Sequence, residues 1–336
     1  MKAAVHLGNG VLEVREWPSP SVGVGEILLR MRGCGLCGSD IAKLVPGVVS
    51  APSVLGHELV GDVVEVGAGV RRFAPGQRVV AAHHVPCFDC HYCRRGSPSM
   101  CRTFKRINLD PGGFAELVRV PAPNVAHATF AIPDGMADEV ASFTEPLGCC
   151  LRAVRRSRVG AGDVAIVVGL GSIGCLMAQA LRSTGARVMG ADLVAERRAL
   201  GRRAGAEVFD GDGPLDEALA EATDGRGADV IVFTGGGAEA LRWGVGRIRD
   251  GGMLHCFAGG DGAVLPVPPA ALYHRELTIT ATYSSSPAEL AEAFRLLAAS
   301  EVTVDGLITH RVPLAGLAEG VELMRGRRAV KVYVTP

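Results

Sequence analysis

The feature that most restricts the fold of this chain is the run Gly169-Leu170-Gly171-Ser172-Ile173-Gly174, because of what stands on either side of it. Before it lies an apolar run, Val164 to Val168, with the composition of a buried strand, and after it a stretch of helical periodicity ending near Gly185. A glycine-rich turn in that context suits a dinucleotide. Gly169 permits the tight turn, Gly171 lets backbone approach a pyrophosphate, and Gly174 lets helix pack on strand, with the anion resting on the helix N-terminus. A second strand ends at Asp192, 18 residues past Gly174, where a carboxylate can accept hydrogen bonds from a ribose hydroxyl and repel a 2′-phosphate. NAD is therefore expected in preference to NADP. Arg197 and Arg198 follow, and an arginine there can also hold a 2′-phosphate or stack on adenine.

The surrounding pattern extends this reading. Further apolar runs at 187–191, 229–233, 253–257 and 277–282, most with helical stretches between them, predict an α/β fold: a doubly wound parallel sheet with helices on both faces. Short glycine-rich stretches at 235–237 and 259–262 read as loops after strands. Up to about Asn124 the pattern differs, with short Val- and Leu-rich runs such as 60–66 and 78–82 set between Gly and Pro turns, which predicts a β-rich domain. The expected organisation of the 336 residues is a β-rich domain over 1–145, a nucleotide-binding domain over 146–286, and a tail over 287–336 whose helix and strand return to the first domain.

Charge argues against large anionic partners. Lys+Arg and Asp+Glu balance at 35 each, which leaves no net field for nucleic acid or a membrane surface, so small molecules are the expected ligands. The longest apolar run, 164–178, falls short of the roughly 20 residues that a bilayer needs. No apolar signal core follows Met1, and a cytoplasmic location is expected. Arginines at 152, 155, 156 and 158 can line one helix face, as a solvated surface or as a phosphate patch.

Ten cysteines in such a chain point to metal before disulfides. Cys87, Cys90, Cys93 and Cys101 form Cys-x2-Cys-x2-Cys-x7-Cys in a loop holding Pro86, Gly96 and Pro98, and four thiolates that close can surround one tetrahedral Zn²⁺ with no open position. Such a site, a lobe over residues 86–102, would be structural; an iron–sulfur cluster is the competing reading. A second set is dispersed: Cys37 in Cys37-Gly38-Ser39-Asp40, then His57 and Glu58. A thiolate, an imidazole and a carboxylate together make a metal shell able to keep a position open, although singly each is an ordinary packing or surface residue. Cys34, Cys149, Cys150, Cys175 and Cys256 read as buried packing, and His83 and His84 as structural, surface or cleft-facing groups.

In order and spacing, the Cys37-to-Asp40 run, Gly56-His57-Glu58, the four-cysteine lobe, Gly112-Gly113-Phe114-Ala115-Glu116, Glu145-Pro146-Leu147 and the glycine fingerprint resemble the zinc-dependent medium-chain dehydrogenases from end to end, closest to the branch of sorbitol, threonine and polyol dehydrogenases. The resemblance implies a Rossmann domain, a GroES-like catalytic domain, and two zinc ions per chain. It implies a catalytic zinc held by Cys37 and His57, with Glu58 as a direct or alternating ligand and Glu145 at the same metal; Glu145 is otherwise a helix-starting carboxylate. Ser172 belongs to the fingerprint, and Ile173, Asp192 and Arg197 would contact NAD, as would backbone near Phe257 and Thr282. Ser39 would relay the hydroxyl proton of a secondary alcohol or polyol while hydride passes to NAD. Where many relatives carry a relay histidine this chain has Ala42, which leaves the proton's exit route open. The resemblance further implies a homodimer or homotetramer. Two other readings stand beside it: an NAD(P)H-dependent carbonyl reductase, and an NAD-binding regulator without turnover.

Overall fold

A computed structural model describes residues 1–258 and 266–336; the glycine-rich stretch expected at 259–262 lies outside them. The chain forms two compact units, Met1–Gly148 with Ser285–Pro336, and Cys149–Ser284. Among the described residues no helix is long and apolar enough to cross a membrane.

The first unit is built mainly on antiparallel pairing, with one parallel pair between His310–Pro313 and Val332–Thr335. Its main sheet runs in the order His310–Pro313, Val332–Thr335, Ile27–Leu36, Glu58–Val66, Arg78–Ala81, Thr129–Ala131, and Leu117–Val120 also pairs with Ile27–Leu36. The strand Ile27–Leu36 alternates in burial over residues 29–33, as a strand with one face on a core must. Its inward residues Ile27, Leu29 and Met31 pack with Leu59, Val63, Phe114, Val118 and Val334, and each fully buried aliphatic or aromatic side chain contributes roughly 1.5–3 kcal/mol. The C-terminal strand joins this sheet by pairing Val332 with Leu36 and Val334 with Cys34.

The second unit is a six-stranded parallel sheet. Its order is Glu207–Val208, Arg187–Ala191, Val164–Val168, Ala228–Phe233, Ile248–Cys256, Thr278–Ala281, and in sequence order this reads 3-2-1-4-5-6, the Rossmann arrangement. The strand Ala228–Phe233 is buried on both faces, which is why it runs unbroken in apolar residues from Val230 to Phe233 instead of alternating. The order reverses between Val164–Val168 and Ala228–Phe233, so the glycine fingerprint sits at the switch point, where parallel α/β sheets open a crevice.

Arg152 does not belong to a solvated arginine face: it is buried, and its Nη1 donates to the Tyr283 carbonyl at 3.2 Å. Arg155, Arg156 and Arg158 are exposed, because the helix Thr144–Ser157 turns residue 152 inward with Leu151, Ala153 and Val154.

Candidate active site

Strand register assembles the dispersed donor set. Cys37 follows directly on Ile27–Leu36 and caps the helix Gly38–Lys43; His57 immediately precedes the antiparallel partner strand Glu58–Val66, which Glu58 opens, and Gly35 lies opposite Glu58. Gly35 leaves room for this arrangement: a Cβ at that position would collide with the Glu58 carboxylate and crowd Lys331 beside it, forcing the buried pair to shift. One sulfur, one imidazole nitrogen and one carboxylate oxygen, from Cys37, His57 and Glu58, lie within 4.8 Å of one another. Glu145 is buried in the first turn of Thr144–Ser157. Ser39 is exposed, and its Oγ is 3.4 Å from His57 Nε2; Ala42 is exposed on the same short helix.

Asp40 organises this group, a role that residue reading did not assign. Its Oδ1 is 3.1 Å from His57 Nδ1 and accepts from Gly56 N, and its Oδ2 accepts from Cys37 N at 3.2 Å. A carboxylate on Nδ1 leaves Nε2 as the ligand atom and orients the ring, the usual outer partner of a metal-binding histidine. Burial works against the His57 charge, but the Asp40 carboxylate and its hydrogen bond outweigh it and hold the imidazolium well above its usual range. For Asp40, burial opposes ionisation and the neighbouring His57 overcomes it, so this carboxyl stays below its usual value. The signal was available, since Asp40 stands three residues after Cys37, where a capping carboxylate belongs.

Two further groups border the set. Lys331 is buried against Glu58, with no local motif to announce it. His83, also buried, lies tilted between His57 and His84 at ring separations of 4.6 and 3.7 Å, and His84 lies 4.7 Å from Phe104, one turn past Cys101.

The four-cysteine lobe has the shape of a metal cage. All four Sγ atoms lie within 4.8 Å of one another, with Cys101 to Cys87 at 3.5 Å, Cys90 to Cys93 at 3.6 Å and Cys87 to Cys93 at 4.0 Å. A tetrahedron with 2.3 Å zinc–sulfur bonds has edges of about 3.8 Å, so the donors fit that ion; a disulfide would need about 2.05 Å. Burial pushes the Cys101 thiol up, but backbone N–H groups of Cys87 and Phe104 outweigh it and bring it down to about 6, whereas burial and neighbouring thiols push Cys93 up to about 12.

In the second unit the fingerprint glycines differ in what surrounds them. Gly169 has φ +90°, and a Cβ on Gly174 would collide with the Gly169 carbonyl. Gly171 faces open space: among the described residues, its own chain neighbours aside, no atom lies within 4 Å of an added Cβ, which leaves room for a ligand at the start of the helix Ser172–Arg182. Ser172 and Ile173 form its first turn. Asp192 accepts from Leu170 N at 2.7 Å and from Val194 N at 2.8 Å. Arg198 is engaged by Asp210 and by the carbonyls of Asp192 and Leu193, whereas Arg197 is half-buried beside it.

Comparison with known proteins agrees with this architecture. Residues 23–134 match the family model for the alcohol dehydrogenase GroES-like domain, and residues 172–299 match that for zinc-binding dehydrogenases. The chain is 30% identical to sorbitol dehydrogenase of Halalkalibacterium halodurans, over 100% of this chain and 99% of that one. It is 31% identical to L-galactonate-5-dehydrogenase of Escherichia coli, over 97% and 95%. A solved Sinorhizobium meliloti structure, classed provisionally as a zinc-binding dehydrogenase and bound to NADP, superposes with a TM-score of 0.86 at 29% identity, over 100% and 99% of the chains. With its donor sets, its Rossmann sheet and end-to-end relatives all in agreement, the chain belongs to the zinc-containing medium-chain dehydrogenases, NAD(P)-dependent oxidoreductases acting on CH–OH groups.

Proposed function

We propose that this protein oxidises a secondary alcohol or polyol with NAD, using Cys37, His57, Glu58 and Glu145 around one zinc and Cys87, Cys90, Cys93 and Cys101 around another. The observation that carries the reading is the convergence of a sulfur, a nitrogen and a carboxylate within 4.8 Å, beside a serine hydroxyl. Zinc bound by these donors supplies an electrophile that makes a substrate hydroxyl acidic near neutral pH. Asp40 keeps His57 in the tautomer that presents Nε2, and Ser39 Oγ, 3.4 Å from that nitrogen, is placed to take the hydroxyl proton. Ser39→Ala is expected to slow alcohol oxidation at pH 7 by about tenfold or more.

Gly169, Gly171, Ser172, Ile173 and Gly174 hold the cofactor's pyrophosphate, and Asp192 and Arg197 its adenosine end. The preference for NAD rests on Asp192, whose negative charge disfavours a 2′-phosphate, and on Arg198, already committed to Asp210. The test is absorbance at the NADH band during incubation with polyols, amino alcohols and aliphatic secondary alcohols, run with NAD and with NADP in parallel. Turnover of at least one secondary alcohol, faster with NAD, supports the reading; faster turnover with NADP, the ligand of the Sinorhizobium meliloti relative, would overturn the cofactor assignment, and no turnover of any alcohol would overturn the reaction.

A further inference from the structure

The sheet of the second unit carries a polar chain, Ser157–His255–Thr282, to which the roles above give only the backbone near Thr282. His255, with 0% exposure in the strand Ile248–Cys256, has Ser157 Oγ at 2.7 Å from Nδ1 and Thr282 Oγ1 at 2.9 Å from Nε2. Ser157 Oγ also donates its one proton to the Ala153 carbonyl at 2.9 Å, so it meets the imidazole as an acceptor. Nδ1 therefore carries the ring proton, Nε2 accepts, and the Thr282 hydroxyl donates to it. Burial, reinforced by the positive charge of Arg156, pushes His255 down to about 4, which keeps the ring neutral and this direction of hydrogen bonding constant.

Packing alone does not account for the imidazole. In register its neighbours are Val232 and Thr280, and Ser157 is already satisfied by Ala153, so an apolar side chain would leave no orphan on the helix. What the imidazole adds is the bond to Thr282, the first residue past the carboxyl end of Thr278–Ala281. Thr282 lies two residues beyond Thr280 and so can share the His255 face of the sheet. The next residue, Tyr283, is held through its carbonyl by Arg152, from the same helix that supplies Ser157. Two adjacent residues at the sheet's carboxyl edge are thus tied down by buried side chains. A dinucleotide with its adenosine end at Asp192 and its pyrophosphate at the switch point must lay its other half across this edge.

We propose that His255 is a positioning residue for the cofactor: through Thr282 it holds the 282–283 segment in the conformation that receives the nicotinamide half of the dinucleotide. The inference rests on the reading of the second unit as an NAD site. Thr282 is half-buried, so its variants disturb the core little. In the full-length zinc-loaded protein, Thr282→Val is expected to raise the Kd for NADH, read from its fluorescence, about tenfold, the loss of one hydrogen bond to a buried imidazole. Thr282→Ser, which keeps the hydroxyl, should stay within about twofold of the parent. ADP-ribose, which lacks the nicotinamide, should bind all three proteins equally. His255→Leu should match Thr282→Val, and the double variant should be no worse than either single change, since both break one bond. NADH binding unchanged in Thr282→Val, equal damage in Thr282→Ser, or an equal loss of ADP-ribose binding would each overturn the proposal. Failure of the parent protein to bind any dinucleotide would instead overturn the underlying cofactor reading.

Discussion

Lys331 places its ammonium 2.5 Å from both carboxylate oxygens of Glu58, and the two side chains are sealed from water together, at 3% and 1% exposure. Burial works against the lysine charge, but Glu58 and Cys37 outweigh it and hold the ammonium above its usual pKa. Glu58 thus has a resident cation on one side and the Cys37–His57 donor set on the other. Lys331→Met, close in length and without charge, would strand the carboxylate. Breaking a buried pair from one side costs about 3–5 kcal/mol. The expected loss is that large in chelator-treated protein and smaller in zinc-loaded protein, where the ion offers Glu58 another countercharge; denaturant unfolding in both states measures it. Equal losses would separate the pair from metal binding.

The Asp40–His57 bond sets a pH dependence. His57 is held above its ordinary pKa in the metal-free protein, so its contribution to stability is complete below about pH 6.5 and is lost as pH rises through the raised value. Asp40, held below its ordinary value, stabilises above about pH 3.9 and loses that contribution as pH falls through the lowered one. Zinc needs a neutral imidazole, so zinc affinity should climb about tenfold or more per pH unit until His57 has lost its proton. Asp40→Asn should bring the end of that climb to lower pH and weaken zinc binding about 10–100-fold, as removal of outer partners of metal ligands does. Competition with a chromophoric chelator across pH gives both quantities.

Counting zinc separates the two donor sets. Cys93→Ser removes one corner of the four-sulfur cage and should lower zinc from two per chain to one, with proteolysis first appearing in the loop around residues 87–101, which has little core of its own. A variant that still holds two equivalents would show that the lobe does not need Cys93 as a ligand.

Gly171 and Gly174 should fail in different ways. Among the described residues, its chain neighbours aside, an added methyl at Gly171 meets no atom within 4 Å, so Gly171→Ala should keep the melting temperature within about 2 °C while weakening NADH binding, because the methyl occupies ligand space. At Gly174 the methyl drives into the Gly169 carbonyl, so Gly174→Ala should lower both the melting temperature and NADH affinity. Calorimetry and fluorescence titration on the two variants distinguish the cases; equal thermal losses would contradict the assignment of space at Gly171.

Residue order alone carries the contiguous parts of this protein. The glycine run after an apolar strand, the four cysteines within 15 residues and the Cys37-to-Asp40 cap are legible because their geometry is made by bonds along a short stretch of chain. Cys37, His57 and Glu58 are legible as metal donors by type; their meeting depends on the pairing of Gly35 with Glu58, a register set by burial of the whole sheet. Lys331, 273 residues from Glu58, and the Ser157–His255–Thr282 chain have no local signature at all. Arg152 shows the same limit: its helix reads as amphipathic with an arginine face, and only packing decides that this arginine turns inward to hold Tyr283. Local chemistry follows from the sequence of bonds, whereas which distant charges and hydroxyls share a buried space is decided by the three-dimensional competition for that space.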